Sequence, residues 1–279
     1  MHPYLFDWVI AGHHFRPPTY GILLALAFSA AYFESLRRAI KLGEDPKHIE
    51  NLFLFIVLSS VLGSRLFHVL FEDLSYYLSH PSKILAVWEG GYTLYGAILA
   101  STLAIVLYTR YKKINFLAFA DIAAASAALG VAIGRVGCFA AGCCWGRPTT
   151  LPWGVVFSNP DTFSEIRNTP LHPTQLYESF GALVLFLYLL WRFERRRYIG
   201  QIFFHAIGFY ALLRFAVEYF RGDDYRGYLF GGVISYSQFV SLVILPFALA
   251  GAIVYSRRPE NQLGEAPKGK SSRKPSSRK

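Results

Sequence analysis

The sequence predicts an all-α integral membrane protein of about seven transmembrane helices, with the amino terminus outside and the carboxyl terminus cytoplasmic. Three observations lead there. Of 279 residues, 53% are hydrophobic and 16% charged, whereas soluble domains carry about a quarter charged residues. Apolar runs long enough to cross a hydrocarbon core of about 30 Å recur along the chain. Lysines and arginines follow alternate runs, as they do in cytoplasmic loops.

The runs occupy 20–36, 51–71, 92–108, 116–133, 176–191, 201–220 and 233–255. The first is preceded by Asp7 and a single arginine and followed by Arg37 and Arg38, the reverse of a signal peptide, so it is expected to remain as a helix. Basic groups follow the first run (Arg37, Arg38, Lys41, Lys47), the third (Arg110, Lys112, Lys113), the fifth (Arg192, Arg195, Arg196, Arg197) and the seventh. They hold nineteen of the 28 lysines and arginines. All fall on one side only if the span count is odd. The net charge of +10 is thereby explained by topology, and no nucleic-acid partner is expected. Residues 134–175 contain Pro148, Pro152, Pro160, Pro170 and Pro173 and read as an irregular outer-side loop. A single membrane domain is expected over 1–257, with 258–279 a disordered basic tail.

Nine basic residues fall inside spans or on the outer side: Arg16, Arg65, Lys83, Arg135, Arg147, Arg167, Arg214, Arg221 and Arg226. An arginine at bilayer depth costs at least about 2.5 kcal/mol on insertion scales, so it is paired or functional. Glu218, Asp73 and Glu178 are the candidate partners. As a set, the arginines point to a phosphate, whose oxygens the planar guanidinium fork can hold in pairs. Ser59, Ser60, Ser64 and His68 around Arg65, and Glu218 four residues from Arg214, add to the picture of a polar interior.

The loop opens Gly134-Arg135-Val-Gly137-Cys138-Phe-Ala-Ala-Gly142-Cys143-Cys144-Trp-Gly146-Arg147. Glycine amides beside arginines read as an anion site, and a helix-packing glycine motif followed by a turn is the competing reading. The three cysteines sit on the side where disulfides are permitted. Packing or a local disulfide is expected ahead of a catalytic thiol, and no metal site is expected, because zinc usually takes four ligands.

Tyr20-Gly21, Gly63-x-Arg65, Trp88-Glu89-Gly90-Gly91, Gly134-Arg135-x-Gly137, Gly146-Arg147, His172-Pro173-x-Gln175-Leu176-Tyr177-Glu178, the stretch from Arg214 to Arg221, and Ser235-x-x-Gln238 follow one another in the chain. In wording and order they resemble the prolipoprotein diacylglyceryl transferases, over about residues 20–255. That resemblance implies seven transmembrane helices with the amino terminus outside, in the bacterial cytoplasmic (inner) membrane. It also implies transfer of diacylglycerol from phosphatidylglycerol to the lipobox cysteine of a prolipoprotein signal peptide, releasing glycerol phosphate, with no cofactor. The family pattern usually runs Gly-Asn-Phe-x-Asn-Gly-Glu where this chain has Gly137-Cys138-Phe139-Ala140-Ala141-Gly142-Cys143. A histidine known in the family is matched here by Tyr95.

By the resemblance, Arg135 and Arg214 match the catalytic arginines, with Arg65, Arg147 and Arg221 as helpers. Tyr95 occupies the position of the base, for which His172 is a rival. Glu218 orients Arg214, and Tyr20, Gln175 and the glycines Gly134, Gly137 and Gly146 contact the lipid headgroup or its esters. A diverged relative with another acceptor, an anionic-lipid transporter and a silent lipid-binding protein remain the alternatives.

Overall fold

The computed structural model describes residues 2–10, 12–86, 90–223 and 227–263, with the side chains of all but Ile10 and Leu94. The motif residues Trp88 and Glu89, together with Arg226, lie outside the described residues. The fold is mostly helical. Seven helices of 18 to 26 residues are present among the described residues: α1 (Thr19–Leu42), α2 (Pro46–Phe71), α4 (Leu94–Lys112), α5 (Phe116–Ala141), α6 (Thr174–Phe193), α7 (Gln201–Glu218) and α8 (Tyr236–Ser256). A short α3 (Leu74–Ser79) follows α2. By length and composition α1, α2, α5, α6 and α8 are apolar enough to cross a membrane, the architecture of a multi-pass membrane protein. In α7, Gln201, His205, Arg214 and Glu218 interrupt the apolar run. Two small hairpins complete the elements: β1 (Trp8–Ile10) with β2 (His13–Phe15), and β3 (Tyr228–Leu229) with β4 (Ile234–Ser235).

Two boundaries differ from the sequence reading. The irregular segment begins eight residues later than expected, because α5 runs through Gly134, Arg135 and Gly137 to Ala141. Alanines flank these glycines, and an intramembrane helix satisfies its own backbone, so the glycines bring no break. The tail is ordered for longer than expected. Asn261 is buried, and Ile199 and Leu263 donate N–H groups to Asn261 and Arg197.

The chain divides into two compact units, Ser29–Ile122 and Met1–Phe28 with Ala123–Lys279. In the first, α2 packs on α4 where two glycines meet. A Cβ on Gly63 would lie 2.7 Å from the carbonyl oxygen of Gly96, and one on Gly96 would lie 2.3 Å from that of Gly63. Only bare backbones fit, which is how helices approach closely in lipid. Ser64 Oγ donates to Thr93 O at 2.8 Å and pins the entry of α4 to α2. Ser59 and Ser60 donate to carbonyls of their own helix, so they cap local backbone rather than line a polar cavity, contrary to the sequence reading.

In the second unit α7 packs against α6 and α8. The start of α8 is a capping box: Ser235 Oγ accepts from Gln238 N, and Gln238 Oε1 accepts from Ser235 N. Residues 142–173 fold over the ends of α5 and α6 around Trp145, Phe157 and Leu171.

Candidate active site

A row of polar side chains runs through the apolar helices of the second unit. Arg135, two turns from the end of α5, places Nη2 2.9 Å from Glu178 Oε1 on α6. Tyr210 on α7 donates to the same oxygen at 2.7 Å. The Glu178 side chain is 1% exposed, and its Oε2 has no hydrogen-bond partner among the described residues. One turn along α7, Arg214 Nη1 lies 2.7 Å from Glu218 Oε2, and Nη2 donates to Ser237 on α8 at 3.1 Å. The Arg214–Glu218 contact is an ion pair without a directed hydrogen bond, so Nη1 is buried with no N–H aimed at a partner among the described residues. Spacings of four residues put Tyr210, Arg214 and Glu218 on one face of α7. Buried carboxylates hold both guanidiniums in fixed orientations and leave donors and one carboxylate oxygen unused.

The glycine-rich stretch is built differently from the expected anion loop. Gly134 and Gly137 are inside α5, where their amides belong to the helix ladder. A Cβ on Gly137 would come within 3.2 Å of the Tyr20 ring, so this glycine lets α5 pack on α1. Gly134 has open space around it. Gly146 donates to His172 O, and Arg147 N donates to Phe220 O. A Cβ on Gly146 would sit 2.5 Å from His172. Gly137 and Gly146 thus sit where neighbours approach closely, and the amides of all three glycines are already engaged.

Arg221 is 4% exposed and gives Nε and Nη2 to the two oxygens of Asp223 at 2.9 and 2.6 Å. One edge of its fork is thus filled internally by a carboxylate. Arg147 Nε donates to Arg221 O at 3.1 Å, and its exposed terminal nitrogens have no partner among the described residues. His172 packs on Phe220 and shares a hydrogen bond with Tyr177 Oη at 3.1 Å, to which Trp153 Nε1 also donates. It braces the start of α6. Gln175 Nε2 donates to Cys143 O at 2.7 Å, and its buried Oε1 has no partner among the described residues.

Cys138 lies on the last turn of α5, and Cys143 and Cys144 follow Gly142, which turns the chain at φ +74°. No disulfide joins them, and their sulfurs lie within 4.8 Å of one another. Thiol donors from Cys138 and Cys143 hold the Cys144 thiol well below the ordinary range, with Arg221 and Arg135 acting in the same direction against burial. Tyr20 is within electrostatic reach of all three cysteines and of Arg135.

The other unit holds Arg65 and Tyr95. Arg65 is 5% exposed and donates from Nη2 to Lys83 O at 2.6 Å, from Nε to Ile84 O at 3.2 Å, and from Nη1 to Gly90 O and Gly91 O. Its cation also lies over the Tyr77 ring. Arg65 clamps backbone. Tyr95 is 57% exposed. It has no hydrogen-bond, ion-pair or ring partner among the described residues.

Sequence reasoning passed over Tyr210 and Ser237 and treated Glu178 only as a structural partner. Tyr210 is four residues before Arg214, and that spacing was the available signal. Nothing local marks Glu178 as the partner of Arg135.

A family model described as prolipoprotein diacylglyceryl transferase matches residues 9–255. A phosphatidylglycerol–prolipoprotein diacylglyceryl transferase of Geobacter sulfurreducens is 40% identical over 244 residues, covering 86% of this chain and 91% of the relative. One of Bordetella avium is 38% identical over 252 residues, with 87% and 92% covered. One of Clostridium tetani is 35% identical over 223 residues, with 80% and 87% covered.

Proposed function

The chain belongs to the prolipoprotein diacylglyceryl transferase family, and from that premise we propose that it moves the diacylglyceryl group of phosphatidylglycerol onto the lipobox cysteine of a prolipoprotein. All seven long helices cross the bacterial cytoplasmic membrane, amino terminus outside. The one-sided distribution of nineteen basic residues supports that orientation. Residues 1–257 form the membrane domain, and the basic tail meets the anionic inner leaflet.

The reaction makes a carbon–sulfur bond and breaks the carbon–oxygen bond to phosphate. The thiolate supplies one electron pair, glycerol phosphate leaves with the other, and the thiol proton departs beforehand. Charge therefore builds on the leaving phosphate, where pre-aimed donors in a dry site act most strongly. Arg135 and Arg214 take that role. Glu178 and Tyr210 orient the first, Glu218 and Ser237 the second, and the open space at Gly134 lets the headgroup approach. Tyr20 and Gln175 Oε1 offer polar contacts to headgroup hydroxyls, and Arg147 offers its free nitrogens at the loop surface.

The observation that carries this reading is the buried row Arg135–Glu178–Tyr210 and Arg214–Glu218, with Glu178 Oε2 left without a hydrogen-bond partner among the described residues. Purified protein given phosphatidylglycerol and a lipobox peptide is expected to release glycerol phosphate and raise the peptide mass by one diacylglyceryl group. Bound lipid with no release and no mass change would sink the transferase reading.

A further inference from the structure

We propose that Cys138, Cys143 and Cys144 form a three-thiolate site for a zinc-class divalent cation, with a fourth position open to the thiol of the acceptor cysteine. The second half of this proposal rests on the transferase reading above, and the first half does not.

Three observations carry it. The sulfurs lie within 4.8 Å of one another, unjoined by a disulfide. Zinc–thiolate bonds are about 2.3 Å long, so two sulfurs on one tetrahedral zinc sit about 3.8 Å apart. The cluster thus needs a closure of about 1 Å at most. Secondly, the backbone that presents the sulfurs is built and held. Cys144 has φ +63°, a conformation a non-glycine residue adopts only under constraint. The constraint comes from the first turn of α6, where Thr174 Oγ1 donates to Cys144 O at 2.8 Å and Gln175 Nε2 to Cys143 O. Thirdly, all three residues are half-buried, neither sealed in a core nor free in solvent. Three protein ligands with an accessible fourth position is the arrangement of catalytic rather than structural zinc. Three thiolates on a divalent cation leave one net negative charge, and Arg135 and Arg221, both within electrostatic reach of Cys144, oppose it.

The chemistry fills a gap in the mechanism. The acceptor thiol must become a thiolate, and no side chain given a role above takes its proton. A thiol entering a metal's coordination shell gives up its proton outright. On binding, the acceptor S–H releases its proton to solvent, and its sulfur lone pair then forms the bond to the glyceryl carbon. The carbon–oxygen pair leaves with glycerol phosphate, and the neutral thioether, a poorer ligand than a thiolate, dissociates. No electron is gained or lost, and the cation returns to its starting state. Arg135, three residues before Cys138 on the same helix, would then serve the leaving group beside the site that activates the nucleophile.

The full-length chain, purified with thiols reduced, is expected to carry about one zinc per molecule by elemental analysis and to exchange it for cobalt. Cobalt is expected to show a sulfur-to-metal charge-transfer band that changes when a lipobox peptide is added and stays unchanged with its Cys→Ser counterpart. The combined Cys138→Ser, Cys143→Ser and Cys144→Ser variant is expected to lose the metal and to slow transfer about 100-fold or more, the scale of a lost proton-transfer group. Reduced wild-type protein that takes up neither zinc nor cobalt would overturn the site, and so would mass mapping that finds a native disulfide among the three. A metal-free triple variant that transfers at the wild-type rate would overturn it while leaving the transferase reading intact. Cobalt that responds to the cysteine peptide in a protein that never releases glycerol phosphate would uphold the site and sink the transferase reading.

Discussion

On α2, Arg65 gives its guanidinium to the carbonyls of Lys83, Ile84, Gly90 and Gly91. On α7, Arg214 faces Glu218 and Ser237 and keeps a buried Nη1 without a directed hydrogen bond. Both are arginines inside apolar helices, and a sequence reads them alike. The difference is in what remains. A guanidinium whose three nitrogens all reach neutral backbone has a place in the fold and little left for a ligand. One held by a carboxylate through part of its fork is oriented and still has donors to offer. Arg135 with Glu178 belongs to the second kind, and so does Arg221, whose Nε and Nη2 meet the two Asp223 oxygens.

Substitutions sharpen the contrast. The largest effect is expected from Arg135→Ala, which should slow glycerol phosphate release about 100-fold or more, the scale of losing one preorganised donor. Wild-type release from this variant would remove Arg135 from the chemistry. Next comes Gly96→Leu. Its side chain has no room against Gly63 and Phe67, so α2 and α4 must separate, and the protein should melt far below wild type or fail to accumulate. An unchanged melting temperature would break the account of that crossing. Tyr210→Phe removes one hydrogen bond to Glu178 at constant shape, worth about 1 kcal/mol, so a severalfold loss of rate is expected with little change in melting. Smallest of all is Tyr95→Phe, expected to keep its rate within about twofold, since a partnerless exposed residue on the protein surface has little to lose. A large loss there would support Tyr95 as the base.

The helices were legible because apolar runs and basic flanks are local signals. The seven expected runs fall within or against the seven long helices, while the end of α5 was read eight residues short because glycine weakens the local helix signal without breaking a helix whose neighbours support it. Pairings four residues apart were also legible, as Glu218 with Arg214 shows. Glu178 with Arg135 joins residues 43 positions apart on two helices, and no local pattern specifies which carboxylate meets which arginine. The glycines were misjudged for a related reason. Whether an amide is free depends on partners such as His172 and Phe220 that lie far along the chain. For the cysteines, the spacing showed proximity in sequence, but only the turn at Gly142 and the left-handed Cys144 bring the three sulfurs together.

The most direct test of the contrast sets Arg214→Lys beside Arg65→Lys, with transfer rate and melting temperature measured on the same preparations. Lysine keeps the charge and loses the fork. For Arg214→Lys the account expects near wild-type melting and a rate down about 100-fold, the scale of a lost preorganised donor. For Arg65→Lys it expects a normal rate per folded molecule and a loss of about 2 kcal/mol or more in stability, because one ammonium cannot reach four carbonyls. The reverse pattern, a stable and inactive Arg65→Lys beside an active Arg214→Lys, would contradict it.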